Sequence, residues 1–363
     1  MRNYIATIGF IFIVIVIGNV TIVAQNQRDM NIGPEIQKAV VTQLVKDLDE
    51  SYVFPDVAKK LDKHLKSRLS DYSSITSARK FAEALTKDLQ SVNDDKHLRV
   101  RFSYDRLPDR KERTSPSREE EERYFAFMKR VNYGFDSVKR LPGNVGYIEL
   151  RGFMNEKLGE NTVAAAMNFV SNTEALIIDL RRNGGGSPKM VALICSYFFG
   201  DEKVHLNDLY WRKGNRTDEF WTQPKVKGTK YLEKDVYILT SNRTFSGAEE
   251  FSYNLRNLNR AIIIGETTGG GAHPGGSFRL HDHFSAFIST GRAISPITKT
   301  NWEGTGVEPH FKVKKDIALE TAQLKALEKI HASTDDPNLK RSILNQIEGL
   351  KKKINKFGEK KAD

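Results

Sequence analysis

Between residues 34 and 92 apolar side chains recur every three or four positions. "IQKAVVTQLVKDLDESYVF", "VAKKLDKHLKSRL" and "SARKFAEALTKDLQSV" all carry this spacing, which puts one apolar face on a helix. "VFPDV" and "DYSSIT" interrupt it as turns. The pattern predicts a small N-terminal helical domain over residues 25–104, closing on the strand-like alternation "HLRVRFSY". Residues 105–132 are charge-dense and predict an exposed linker, with a helix starting near Ser117. From Tyr133 the period changes. "YGFDSVKRLPGNVGYIELRGF" predicts two strands around a Pro-Gly-Asn turn. "ALIIDLR", "DVYILT" and "AIIIGE" are buried-strand runs, separated by the helical stretches "SPKMVALICSYFF" and "GAEEFSYNLRNL". That alternation predicts parallel βαβ units with the sheet inside, over residues 133–313, hence an α/β fold class. Shorter β-like runs, "SFRL", "FSAFIST" and "RAISPI", follow. Residues 314–363 predict a basic C-terminal helical tail.

The first 24 residues change the picture of where the protein works. Arg2 precedes the apolar run "YIATIGFIFIVIVIGNVTIVAQ", broken by Gly18 and Asn19, and small Ala24 stands where a signal peptidase would cut. The expectation is an exported protein, periplasmic or secreted. The competing reading is an uncleaved anchor, because the run approaches a bilayer's span. The net charge of +11 is mild for 363 residues. In an exported chain it points away from nucleic acid and leaves peripheral membrane contact for the basic tail. Cys195 is the single cysteine, which excludes an intramolecular disulfide; its apolar surroundings predict a small core residue. Oligomeric state is not encoded in any of these features.

Three glycine-bearing stretches end the predicted parallel strands: "DLRRNGGG", "TSNRTFSGAEE" and "GETTGGGAHPGG". In open α/β sheets ligands bind at such ends. "RRNGGGSP" lacks the Lys-Ser/Thr of a phosphate loop and the spacing of a dinucleotide fingerprint. It reads either as a tight turn or as a source of aligned N–H groups for an oxyanion. Ser246 begins a helix, and Glu249 three residues on completes a capping-box pattern. Capping and nucleophilic roles are compatible, since a helix N-terminus favours negative charge. A serine nucleophile needs a base. His97, at a loop-to-strand edge after "VNDDK", is the first candidate, and His273, in the third glycine loop, is its rival. A third group must orient the base; Glu303, between Trp302 and Gly304 in "NWEGTGVEP", has that character, with an arginine salt bridge as the plain alternative. No cofactor motif is present. "HDHF" is too sparse for a metal site, so no metal is expected.

In this order, "ALIIDLRRNGGG", "VYILTSNRTFSGAEEF", "IIIGETTGGGAHPGG" and "NWEGTGVEP" resemble the S41 peptidase family, which includes the C-terminal processing proteases, the tricorn protease core and the interphotoreceptor retinoid-binding protein. The helical lead-in and "DDKHLRV" resemble the retinoid-binding-protein branch, so the likeness runs over about residues 34–313. It implies a ClpP/crotonase-like ββα core and a serine peptidase acting on peptide or protein substrates. Ser246 falls on the nucleophile. The lysine base of the processing proteases is absent from Gly265–Gly271, and His97 and Glu303 match the tricorn-like base and acid. Lys96 stands where that branch has a serine. The resemblance further implies an oxyanion hole from Gly247 with Gly184 or Gly185, and substrate contacts from Gly186, Gly270, Gly271 and His273. A PDZ domain has no room between residues 105 and 140. The alternative function is a non-catalytic binder of an apolar ligand on the same fold.

Overall fold

A computed structural model describes residues 28–108 and 117–359. The expected leader with Ala24 lies outside the described residues, as does the middle of the charged segment. No described helix is long and apolar enough to cross a membrane.

The N-terminal unit consists of α1 (Pro34–Ser51), α2 (Pro55–Ser67), the one-turn α3 (Leu69–Tyr72) and α4 (Ala78–Val92). Proline opens both α1 and α2, where its missing N–H costs nothing. Ser77 caps α4 by accepting the Lys80 N–H. Leu44, Leu48, Leu61, Phe81 and Leu85 are buried from these helices, which accounts for the three-to-four-residue spacing. After them comes β1 (Arg99–Phe102). This strand does not stay with the helices. It forms an antiparallel sheet with β9 (Gly275–His281) and β10 (Phe284–Ser289), in the order β1-β10-β9. Leu280, Phe284, Ala286 and Ile288 thereby join the helical core. Residues 32–100 and the strands after 275 share one apolar interior.

In the charged segment α5 (Arg118–Arg130) starts at Ser117, which makes a capping box with Glu120. The central sheet has six strands. β2 (Phe135–Leu141) pairs antiparallel with β3 (Val145–Leu150). β3, β4 (Ala175–Asp179), β7 (Asp235–Thr240), β8 (Ile262–Gly265) and β12 (Phe311–Lys312) run parallel in the order β12-β8-β7-β4-β3. Alternate residues leave opposite faces. Ile148, Ile178, Ile238 and Ile263 pack with α6 (Glu156–Val170), α7 (Pro188–Cys195) and α8 (Gly247–Asn257). Tyr147, Ile177, Leu239 and Ile264 pack under α9 (Ala318–Ser333) and α10 (Pro337–Glu359). The C-terminal helices are thus present as expected, and they cover a sheet face through Ala318, Ala322, Ala326, Ile343 and Ile347. Cys195 is fully buried in the first of these cores, and burial holds its thiol well above the ordinary value.

One element pair was not visible in the hydrophobic pattern. β5 (His205–Trp211) and β6 (Arg216–Trp221) form a hairpin that β11 (Gly291–Ile294) completes into a three-stranded sheet, order β11-β5-β6. β6 alternates between exposed and half-buried residues, so it never presents the fully buried face from which strands are read.

Candidate active site

The loops after β4, β7 and β8 converge at one edge of the central sheet. After β4, the Arg181 guanidinium grips Asp179, with Nη2 2.6 Å from Oδ2. Fully buried Asn183 then organises the turn: its Nδ2 donates to the Leu150 carbonyl at 2.9 Å and its Oδ1 accepts the Gly185 N–H at 2.8 Å. Gly185 and Gly186 have φ of 103° and 146°, conformations that L side chains rarely adopt. A Cβ on Gly185 would stand 2.7 Å from the Gly247 nitrogen and 2.8 Å from the Ser246 Cβ. A Cβ on Gly247 would stand 3.0 Å from the Gly186 nitrogen. The glycine loop therefore lies directly against the start of α8, as a backbone without side chains must for N–H groups to line a small space.

Ser246 opens α8 with φ 54° and ψ −122°. That is not the extended conformation of an ordinary N-cap; a serine held at positive φ in a strand-to-helix turn stores strain, a feature concentrated at functional sites. Glu249 contributes the holding force. It is fully buried and accepts the Ser246 N–H at 2.9 Å, the Thr268 hydroxyl at 2.5 Å, and the Gly270 and Gly271 N–H groups at 2.6 and 2.9 Å. Burial pushes its pKa up to about 7, against these hydrogen bonds. One carboxylate thus clamps the second and third loops together, which the capping-box pattern alone did not reveal.

The structure modifies the expected duties of the glycines. The Gly185 N–H is already donated to Asn183, so Gly185 contributes close approach and not an oxyanion donor. Gly270 and Gly271, expected at substrate, donate their N–H groups to Glu249. Gly184 is exposed, and the amides of Gly186 and Gly247 lie across the narrow gap described above.

His97 reaches the site from the N-terminal unit. Its ring lies 4.5 Å, centroid to centroid, from Phe245, the neighbour of Ser246, and 5.6 Å from Phe287. Desolvation lowers its pKa to about 4, only partly opposed by Asp95. Its Nδ1 is buried and makes no hydrogen bond. Lys96, in the place of the expected serine, donates Nζ to the Gly269 carbonyl of the third loop at 2.6 Å. Among the described residues no hydrogen bond joins His97 to Ser246 or to Glu303.

Glu303 is instead next to the rival histidine. Its Oε2 lies 3.4 Å from His273 Nδ1 and accepts the Ala272 N–H, while its Oε1 is buried without a partner. No arginine pairs with it among the described residues. Burial raises its pKa to about 7, opposed by His273. On the other side of His273 Nδ1, at 3.5 Å, is Asp95 Oδ2. Asp95 is fully buried; it accepts the His97 and Leu98 N–H groups at 3.0 and 3.3 Å and the Tyr52 hydroxyl at 3.1 Å. Despite burial, its hydrogen bonds and the neighbouring imidazoles keep its pKa lowered. Asp95, which sequence reading passed over, is thus the anchor of the loop that presents His97. Asp95, His273 and Glu303 also bring one possible metal-ligating atom each within 4.8 Å of one another.

Two family profiles match the chain: "Peptidase family S41" over residues 144–313, and the N-terminal domain of Peptidase S41 in eukaryotic IRBP over residues 32–132. The carboxyl-terminal-processing peptidase 1 of Arabidopsis thaliana chloroplasts is 26% identical over 186 residues, covering 50% of this chain and 36% of that protein. The tail-specific protease of Haemophilus influenzae is 33% identical over 98 residues, covering 27% of this chain and 13% of that protein. The match therefore spans well under half the length of either relative. A solved protein from Parabacteroides merdae ATCC 43184 shares the fold, with a TM-score of 0.56 at 22% identity over 78% of this chain and 90% of that one.

Proposed function

The chain belongs to peptidase family S41, and from that premise we propose that it is an exported serine peptidase that cleaves polypeptides, in the manner of the carboxyl-terminal-processing and tail-specific proteases it is similar to. Ser246 attacks the scissile carbonyl. His97 takes its proton and returns it to the leaving amine. The Gly247 amide, with one from Gly184 or Gly186 across the gap, holds the developing oxyanion, a contribution worth roughly a hundredfold or more in turnover per donor. Glu303 is the acid that orients His97. The two atoms that such a relay would join, His97 Nδ1 and Glu303 Oε1, are both buried and both without a partner; substrate entry brings them into contact, as catalytic hydrogen bonds often tighten only in the bound complex.

The observation that carries this reading is Ser246 itself, strained at φ 54° and pinned by a buried glutamate against a wall of glycine backbone. A cap needs none of that strain. The test is labelling by a serine-reactive fluorophosphonate, with Ser246→Ala as control, followed by peptide-library digestion read by mass spectrometry. Labelling of the wild type alone, with cleavage near peptide C-termini, is expected. Absence of labelling in a folded wild type would overturn the reading.

A further inference from the structure

His273 is nine-tenths buried or more, at 5% exposure, and its Nδ1 has no hydrogen-bond partner. It points between two carboxylates, 3.5 Å from Asp95 Oδ2 and 3.4 Å from Glu303 Oε2. Those separations are long for an N–H···O hydrogen bond, which runs about 2.7–3.2 Å. They match a different geometry. Ligands held about 2.0–2.2 Å from a tetrahedral zinc ion stand about 3.3–3.6 Å from one another. The three donors come from three distant segments, at positions 95, 273 and 303, and each offers one atom.

We propose that Asp95, His273 and Glu303 form a binding site for a zinc-like divalent transition-metal ion. The donor set favours that class: an imidazole nitrogen with two single carboxylate oxygens suits zinc or cobalt, whereas calcium and magnesium seek all-oxygen shells. Charge agrees, because two carboxylates and a neutral imidazole, the ligand forms a metal takes, offset a dication. The surrounding donors already orient the ligands, as outer-shell partners of metal sites do. Tyr52 Oη and the His97 and Leu98 amides hold Asp95, and the Ala272 amide holds Glu303. The Phe54 and His273 rings pack edge to face, with centroids 5.2 Å apart. The site shares Glu303 with the proposed peptidase machinery, but the test reads metal binding alone, so it can fail while the peptidase reading stands, and the reverse.

The experiment uses the full chain after chelation. Cobalt(II) is titrated in and followed by visible absorption, then zinc is added as competitor, and bound metal is measured by equilibrium dialysis. About one equivalent per chain is expected, with the intense visible bands of tetrahedral cobalt erased by zinc. His273→Ala and, separately, Glu303→Gln should lose the bands and the bound metal, while His331→Ala, on α9 away from the cluster, keeps both. Circular dichroism selects the variants that fold. A wild-type chain that binds no cobalt or zinc, or folded His273→Ala and Glu303→Gln variants that bind as much as wild type, would overturn the proposal.

Discussion

Glu249 Oε2 accepts the backbone N–H of Ser246 at 2.9 Å, and the same carboxylate holds the Thr268 hydroxyl and the Gly270 and Gly271 amides. The helix that carries the serine and the glycine loop after β8 are fixed by one side chain. Glu249→Ala would strand these donors in the interior, and each stranded group costs about 1–3 kcal/mol. A loss of about 3–5 kcal/mol in urea unfolding is expected, together with loss of fluorophosphonate labelling. A variant as stable as wild type would show that the clamp holds nothing.

Relieving the backbone of Ser246 should have a stability signature separable from chemistry. Glycine tolerates positive φ without a Cβ clash, so Ser246→Gly is expected to be inactive yet more stable by about 1 kcal/mol. Ser246→Ala, which keeps the Cβ, should not show the gain. Paired denaturant titrations decide the point, and a destabilised glycine variant would argue that the conformation is unstrained.

The pH dependence of labelling reports on His97. Desolvation between Phe245 and Phe287 depresses its pKa from 6.5 to about 4. A base must be neutral to accept a proton, and a depressed pKa keeps it neutral to lower pH. Labelling should therefore persist well below pH 6.5, with its acid limb moving up in Phe287→Ala as water reaches the ring. A wild-type limb at 6.5 or above would place His97 in water or assign the base elsewhere.

Gly271 gives a test of the base's position. A Cβ there would stand 2.2 Å from Phe245 Cζ and 2.8 Å from His97 Cε1. Neither ring is the loose end of a flexible chain, so Gly271→Ala should displace His97 and cut turnover by about a hundredfold, the scale set by small misplacements of reacting groups. Thermal stability falls as well. Unchanged turnover would mean that the ring is not where catalysis needs it.

Glu250, one turn beyond Ser246, is buried with Oε1 unpartnered, and burial lifts its pKa to about 8. The folded state then keeps a proton that the unfolded chain releases near 4.5. Its contribution to stability is present below that value and is lost as pH rises through about 8. Glu250→Gln removes the titration. The variant should match wild type near pH 4 and exceed it by about 1–3 kcal/mol near pH 8. Parallel pH profiles for the two chains would locate the proton elsewhere.

The helices of the first hundred residues and the parallel strands were legible because burial imposes a period. Ile177 and Ile178 leave opposite faces of β4, and both faces are covered, so the run is continuous and apolar. The β5–β6 hairpin was not legible, since β6 has no fully buried residue to mark it. Ser246, His97 and Glu303 could be named from local motifs and a family resemblance. What could not be read was which histidine Glu303 meets, or that Asp95 lies on that histidine's other side. Those contacts join positions 95, 273 and 303, and separations of that size in sequence leave no local signal. The duties of Gly185, Gly270 and Gly271 were hidden for a related reason: a glycine motif announces backbone freedom but not where each N–H is spent.

The pairing of β1 with β10, from Arg99↔Phe287 to Phe102↔Phe284, has a topological result. The His97 ring is held beside Phe245 by a strand ladder and not by a tether. Two polypeptides divided between β1 and α5 carry complementary edges and a shared apolar interior, so mixing them should rebuild the whole. A peptide copying β1 would compete for the same edge.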